Sequence, residues 1–284
     1  MQSITLLSFF VVVVVSAGNG VPPMKQRLPK MSLMTLEEYR GRITNGDLAQ
    51  PGQFPYQVGL SLMFGNQGFW CGGILISNRW ILTAAHCTDG ADGVTIYLGA
   101  IDISNDNEKG QQRIYSSKRY IIVHEEWDSE LIRNDISLIK MPVVIEFNDR
   151  IQPAVLPKKD GQYSSYEGAL VWASGWGRDS DEASSISQLL RYIEVPVIDQ
   201  NICNSSYSGY ITDKMICINT EGNKSTCNGD SGGPLVLKQN GENIVIGATS
   251  FGIIYGCEVG WPAVFTRITA YLDWIEEKSG VVNN

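Results

Sequence analysis

This chain has few of the residues that commonly form metal sites. Its 284 residues include only two histidines, His86 and His124, and its six cysteines form no C-x-x-C pair. Structural zinc sites use closely spaced cysteines and histidines, so zinc is not indicated and we expect no metal or other cofactor.

The chain also lacks a basic excess. Lys and Arg total 22 against 30 Asp and Glu, which gives a net charge of −8. Residues 1–42 are themselves slightly basic, so the acidic excess lies in the remainder of the chain. An acidic domain is a poor partner for nucleic acid or an anionic membrane, and we expect neither.

Long apolar runs are also scarce. The one run extends from Ile4 to Val15 and ends in the small residues Ser16-Ala17-Gly18. It is short for a membrane span and is typical of a signal peptide, predicted over 1–18, although no Lys or Arg precedes it. A membrane anchor is the alternative. We expect a secreted, extracellular protein, in which six cysteines suggest three disulfides with fifteen possible pairings.

The rest of the chain contains many short apolar runs rich in Val, Ile, Tyr and Trp. Gly, Asn and Asp bound these runs, and the chain has 29 glycines in all. This pattern predicts short antiparallel strands and an all-β domain. Only Ile268–Lys278 has helical periodicity. No repeat or additional regulatory domain is indicated.

Three motifs bring together the groups that activate a serine. Ser231 lies in Gly229-Asp230-Ser231-Gly232-Gly233-Pro234, His86 in Leu82-Thr83-Ala84-Ala85-His86-Cys87, and Asp135 in Asn134-Asp135-Ile136-Ser137-Leu138. A serine becomes a good nucleophile when a histidine accepts its proton and a carboxylate orients that histidine. The glycines would let the N–H groups of Gly229 and Ser231 point toward one oxyanion. The alternative is that the three motifs are unrelated, with Ser231 in a glycine-serine turn, His86 in the core and Asp135 capping a helix.

The order and flanks of these motifs resemble the chymotrypsin-like (trypsin-fold) serine proteases. The resemblance covers about residues 42–278 and implies two antiparallel six-stranded β-barrels with a C-terminal α-helix. His86 and Asp135 would then lie on the first barrel and Ser231 on the second, with a boundary near 153–161. It also implies three disulfides, namely Cys71 with Cys87, Cys203 with Cys217, and Cys227 with Cys257.

The same resemblance implies an activation site at Arg42-Ile43. Residues 19–42 would be a propeptide, and cleavage after Arg42 by a trypsin-like protease would release the amine of Ile43. In the family this amine pairs with the aspartate before the nucleophile, here Asp230. Thr44 and Asn45 depart from the commoner Ile-Val-Gly-Gly pattern. The mature protease domain would be 43–284.

The specificity pocket is inferred by the same correspondence. Its floor would be Ser225, its walls would include Gly252 and Ala263, and Ser250 would also hold Asp135 by a hydrogen bond. Neither Ser225 nor Ala263 carries charge, so the pocket favours large apolar or aromatic residues over Lys or Arg.

Several stretches look most like the arthropod branch called brachyurins. Thr226-Cys227-Asn228-Gly229-Asp230 and Leu272-Asp273-Trp274-Ile275 carry this likeness. A broad-specificity brachyurin-like collagenase or elastase is therefore one alternative, and an inactive homologue that acts as a binding protein is another. All three triad residues are present, which favours a secreted serine endopeptidase made as a zymogen. Its partners would be protein or peptide substrates and possible protease inhibitors, and we expect a monomer.

Two minor features complete the sequence reading. Asp102, Asp106 and Glu108 lie in a loop where some relatives bind calcium, but the first ligand position is Ala100, so a solvated acidic loop is expected. Asn204 and Asn223 begin glycosylation-type triplets.

Overall fold

The computed structural model describes residues 43–159, 161 and 163–283. The predicted signal peptide 1–18, the predicted propeptide 19–42 and Arg42 lie outside these residues. Among the described residues, none of the helices has the length and apolar character needed to cross a membrane.

The first antiparallel sheet has seven strands in the order β6-β5-β2-β3-β4-β8-β7. Its strands are β2 (Gln57–Phe64), β3 (Gln67–Leu75), β4 (Trp80–Thr83), β5 (Gly93–Leu98), β6 (Gln112–Ser117), β7 (Ile121–Val123) and β8 (Ser137–Lys140). Alternate residues of β2 point to one side. Val58, Leu60 and Leu62 are fully buried there and pair with three equally apolar positions of β5.

The second antiparallel sheet also has seven strands, in the order β1-β10-β9-β12-β13-β14-β11. Its strands are β1 (Asp47–Leu48), β9 (Leu170–Gly175), β10 (Arg191–Pro196), β11 (Met215–Ile218), β12 (Pro234–Gln239), β13 (Glu242–Phe251) and β14 (Ala263–Arg267). Ala173 faces Ile193 and Val171 faces Val195, and all four side chains are buried.

The all-β class and the two antiparallel units are therefore confirmed. Each sheet has one strand more than the six expected, because short segments extend its edges. The two-residue β1 pairs with β10 in the second sheet, although it precedes every strand of the first. The residues expected to form the boundary, 153–161, lie between β8 and β9.

In the part of the chain that the structure describes, three short α-helices accompany the sheets, of which only the last was predicted. They are α1 (Ala85–Thr88), α2 (Gln200–Ser206) and α3 (Leu272–Ser279), and a 3₁₀ turn at Ile268–Tyr271 leads into α3. The Asp199 carboxylate caps α2 by accepting hydrogen bonds from the amides of Asn201 and Ile202 at 2.8 and 2.9 Å. The statement that only the end of the chain is helical was wrong, because α1 and α2 are too short to show periodicity.

The core joins the two sheets. One buried cluster contains Leu82 and Leu138 from the first sheet, Val236 from the second, and Trp274 and Ile275 from α3. The C-terminal helix therefore packs its apolar face on the same core that supports β4 and β8. These two strands carry the segments with His86 and Asp135.

Candidate active site

His86 and Asp135 are brought together by strand pairing. His86 lies on α1 directly after β4, Asp135 lies just before β8, and Thr83 of β4 faces Ser137 of β8. The Asp135 carboxylate accepts hydrogen bonds from the His86 amide at 2.9 Å and from His86 Nδ1 at 2.8 Å. The imidazole is therefore held with Nδ1–H toward Asp135, and Nε2 is left as a proton acceptor.

The second sheet also holds Asp135. Ser250 at the end of β13 donates its hydroxyl to Asp135 Oδ2 at 2.5 Å, and Thr266 of β14 donates to the Asp135 carbonyl at 2.7 Å. Asp135 is only 2 % exposed. A buried carboxylate needs such partners, since without them its desolvation would favour the neutral form.

The charges of His86 and Asp135 stabilise each other. Burial by itself lowers the pKa of His86, but the charge and hydrogen bond of Asp135 outweigh it and raise this pKa above 6.5. Burial raises the pKa of Asp135, yet the charge and hydrogen bonds of His86 and Ser250 bring it below the usual value. The pair is thus arranged to stabilise an imidazolium beside a carboxylate.

The loop of Ser231 packs against the segment that carries His86. The Gly72 amide of β3 donates to the Ser231 carbonyl at 2.7 Å, and Cys87 Sγ lies 3.6 Å from the same oxygen. A Cβ at Gly72 would lie 2.8 Å from Gly233 Cα, so only glycine permits this approach. The half-buried Ser231 therefore lies against the segment that carries His86, and its hydroxyl makes no hydrogen bond to any described residue.

Two backbone amides at the Ser231 turn, those of Gly229 and of Ser231 itself, lack an acceptor within the described part of the chain. The amides of Asp230, Gly232 and Gly233 donate to backbone carbonyls, whereas those of Gly229 and Ser231 donate to no atom of the described residues. Gly229 has φ of 100°, a conformation that side chains rarely adopt. These two free donors are the groups predicted from sequence for an oxyanion.

Asp230 is completely buried beneath this loop. Its carboxylate accepts from the Gly177 amide at 2.7 Å and from the Cys227 amide at 2.9 Å, and no cation pairs with it among the described residues. Burial raises its pKa to about 7, against the opposing effect of the two amides. The Ile43 side chain is also fully buried, in the apolar cluster of the second sheet.

The predicted pocket residues lie close to these elements. Ser225 is 3 % exposed and its hydroxyl donates to the Thr226 carbonyl at 2.9 Å. The wall residue Gly252 faces open space, because a Cβ there would meet nothing within 4 Å. Ala263 is buried at the start of β14, opposite Ile218. The Ser250 hydroxyl donates its hydrogen bond to Asp135.

The three predicted disulfides are confirmed. Cys71 bonds Cys87, Cys203 bonds Cys217, and Cys227 bonds Cys257. The first joins β3 to the helix of His86. The third joins the segment before Ser231 to the loop between the predicted wall residues Gly252 and Ala263.

The acidic loop differs from its expected solvated form. Asp106 is exposed, but Glu108 is mostly buried and its Oε2 accepts from the Ile101 and Asp102 amides at 2.9 Å each. Arg150 Nη1 pairs with Glu108 Oε1 at 3.0 Å. The expectation was wrong for Glu108, because a distant arginine and local amides surround its carboxylate.

Sequence reasoning did not identify every residue that contacts the site. Thr266 was missed because its contact with Asp135 spans 131 positions. His124 was not assigned a catalytic role, and it lies directly after β7 with its ring 5.0 Å from that of Trp274. Thr44 and Asn45 were noted only as departures from a pattern, which was the one available signal of their contacts.

A family model described as trypsin matches residues 43–275. The chain belongs to the trypsin family of serine proteases. Serine protease 1 of Drosophila melanogaster is 44 % identical to this protease over 252 residues, which cover 89 % of this chain and 91 % of the relative. Brachyurin of Leptuca pugilator is 44 % identical over 239 residues, 84 % of this chain and 99 % of the relative.

A solved structure supports the same assignment. A collagenase structure has a TM-score of 0.76 and 38 % identity, and the similarity covers 84 % of this chain and 99 % of that one. The resemblance to chymotrypsin-like and brachyurin proteases is thus confirmed. The protein is a serine endopeptidase, a hydrolase whose family implies protein substrates.

Proposed function

We propose that this protease is secreted as an inactive precursor and hydrolyses peptide bonds after large apolar or aromatic residues. The observation that carries the proposal is that both carboxylate oxygens of Asp135 accept hydrogen bonds. One carboxylate oxygen accepts from the His86 amide, and the other accepts from both His86 Nδ1 and Ser250. This arrangement leaves His86 Nε2 available for a proton beside Ser231.

The proposed reaction has two halves. The Ser231 oxygen attacks the substrate carbonyl while His86 Nε2 accepts its proton, and Asp135 stabilises the resulting imidazolium. The free amides of Gly229 and Ser231 donate to the oxyanion of the tetrahedral intermediate. His86 then protonates the leaving amine, and an acyl-enzyme remains on Ser231. A water molecule, deprotonated by His86, releases the acid product in the same way.

Activation is proposed to depend on Asp230. The buried Asp230 carboxylate, whose pKa is raised to about 7, has no charged partner among the described residues. Cleavage between Arg42 and Ile43 would supply one, the ammonium of Ile43, and the burial of the Ile43 side chain supports its docking in the second sheet. Because Asp230 adjoins Ser231, this ion pair would order the oxyanion amides. A trypsin-like protease is the proposed activator.

The proposed specificity rests on the uncharged pocket. A Lys or Arg side chain that entered it would lose water and meet Ser225 and Ala263, which bear no charge. The Ser225 hydroxyl also already donates to a carbonyl. An aromatic or leucine side chain instead gains about 25 cal/mol for each Å² of apolar surface buried.

Active-site labelling tests the proposal. The full-length precursor, the same protein after trypsin treatment, and a trypsin-treated Ser231→Ala control are each reacted with a fluorophosphonate. N-terminal sequencing reports whether Ile43 has become the first residue. Labelling of Ser231 only after this cleavage supports the proposal, and equal labelling of the uncut precursor contradicts the zymogen part. No labelling after complete cleavage contradicts the catalytic part.

A further inference from the structure

Thr44 forms a two-way hydrogen bond with the pocket floor. Its hydroxyl accepts from the Ser225 amide at 2.9 Å and donates to the Ser225 carbonyl at 3.2 Å. Both residues are almost fully buried and also form an antiparallel β-bridge. The Thr44 side chain therefore bonds both backbone polar groups of the residue that forms the floor, and a valine or glycine side chain could bond neither.

Asn45 extends the connection to Asn223 and to Glu258, which lies in the loop between the wall residues Gly252 and Ala263. Its Nδ2 donates to the Asn223 carbonyl at 3.1 Å and, more weakly, to Glu258 Oε1 at 3.4 Å. Asn45 has φ of 57°, a conformation that asparagine tolerates better than most residues. The asparagine thus replaces a glycine of the commoner pattern without loss of the turn, and it adds a side-chain donor.

Glu258 is connected in turn, through Asp181, to the disulfide between Cys227 and Cys257. Its Oε2 accepts from the Asp181 amide at 2.9 Å. The Asp181 carboxylate in turn accepts from the amides of Cys257 and Glu258 at 2.6 and 3.1 Å. Cys257 is bonded to Cys227, two residues after Ser225. The contacts therefore connect Asn45, the wall and the floor.

We propose that Thr44 and Asn45 are positioning residues that hold the floor and wall of the specificity pocket to the mature N-terminal segment. This inference deepens the proposed function and rests on it for the role of Ser225. The two side chains touch neither Ser231 nor His86, so they act on binding of the side chain before the scissile bond. The Ile43 amine and the Thr44 and Asn45 side chains then have separate roles, the former at Asp230 and the latter at the pocket.

The variants separate these contacts from simple packing. Thr44→Val keeps the branched shape but removes the hydroxyl, and Thr44→Ser keeps the hydroxyl. Asn45→Gly preserves the positive φ and removes only the amide. Thr95→Val on β5 of the first sheet is the matched control.

Each full-length variant is cleaved with trypsin, and kcat and KM are measured on matched peptides with Phe or Ala before the scissile bond. We expect Thr44→Val to lower kcat/KM for the Phe peptide about ten-fold, mainly through KM, by the loss of hydrogen bonds to a buried amide and carbonyl. The Ala peptide and the rate of labelling by a small fluorophosphonate should change less than about two-fold, since neither needs a deep pocket. Thr44→Ser should restore the Phe rate, and Asn45→Gly should lie between Thr44→Val and the wild type.

A second measurement does not depend on catalysis. Hydrogen exchange followed by mass spectrometry should show faster exchange of residues 221–227 in Thr44→Val than in the wild type, and no change in Thr95→Val. Unchanged exchange, or equal losses on the Phe and Ala peptides and in labelling, would overturn the inference. A wild-type enzyme that neither labels nor hydrolyses after cleavage would refute the proposed function instead. The exchange result would still show whether Thr44 stabilises residues 221–227.

Discussion

Ser250 donates its hydroxyl to Asp135 Oδ2 at 2.5 Å across the junction of the two sheets. Ser250 is the penultimate residue of β13 in the second sheet, whereas Asp135 precedes β8 of the first and orients His86. The carboxylate that tunes the histidine is therefore held from both sheets. A shift of one sheet against the other would alter the pKa of His86 as well as its position.

The proposed role of Ser231 as nucleophile gives the first prediction. Ser231→Ala removes the nucleophile and should reduce kcat by about 10⁶, as in a related triad. The loss should appear in kcat rather than in the thermal midpoint, because the half-buried hydroxyl makes no hydrogen bond among the described residues. Steady-state assays and thermal unfolding of the cleaved enzyme check both points. Hydrolysis at the wild-type rate would refute the assignment.

The pH profile of kcat/KM should report His86. The reaction needs a neutral imidazole, so activity should fall with decreasing pH around an apparent pKa above the ordinary 6.5, because Asp135 raises it. Asp135→Asn removes the charge and should shift this limb to lower pH. It should also lower kcat by about 10⁴, as it does in a related enzyme where the wrong tautomer results. An unshifted limb would contradict the proposed coupling.

Asp230 predicts a pH-dependent stability of the uncut precursor. Its pKa is raised from 3.8 to about 7 by burial, so between these values the folded chain binds more protons than the unfolded chain. Unfolding free energy should therefore fall as pH rises from about 4 to about 7, by roughly 2–4 kcal/mol. Denaturant titrations of Arg42→Gln, which cannot be cleaved at this site, measure the slope. The double variant with Asp230→Asn should lack this contribution, and an unchanged slope would exclude it.

The proposed pocket floor, Ser225, predicts a change of specificity on substitution. Ser225→Asp places a carboxylate where the wild type is uncharged, so the ratio of kcat/KM for Arg and Phe peptides should rise by at least about ten-fold. Ser225→Ala is the neutral control and should retain the preference for Phe. An Arg preference of the wild-type enzyme would refute the apolar pocket, and comparable rates after Arg and Phe would favour the broad-specificity alternative.

The partly buried pair of Glu108 and Arg150 predicts a local stability effect. Glu108→Gln leaves Arg150 without its partner carboxylate and weakens two hydrogen bonds from amides, so it should cost about 1–3 kcal/mol. Asp106→Asn is the matched control in the same loop. Its exposed pair with Arg113 should contribute less than about 1 kcal/mol. Equal costs in urea unfolding would contradict this difference.

The sequence by itself was enough to identify this chain as a serine endopeptidase of the trypsin family. The motifs around His86, Asp135 and Ser231 are local, since their glycines and neighbouring cysteines constrain the backbone within a few residues. The same motifs led to the family, its two-sheet fold and its disulfides. Short helices such as Gln200–Ser206 were not predicted, because they are too short to show an apolar periodicity. The Asp199 cap was the signal that could have indicated this helix.

Only the tertiary structure decided the contacts that join distant segments. Thr44 meets Ser225 across 181 positions, Thr266 meets Asp135 across 131, and Arg150 meets Glu108 across 42. No local pattern encodes such pairs, because hydrogen bonds between segments depend on how the sheets fold and pack. The two-residue β1 likewise becomes a strand only because it pairs with the edge of β10. The backbone amides and carbonyls at a sheet edge are free to form hydrogen bonds with such a segment.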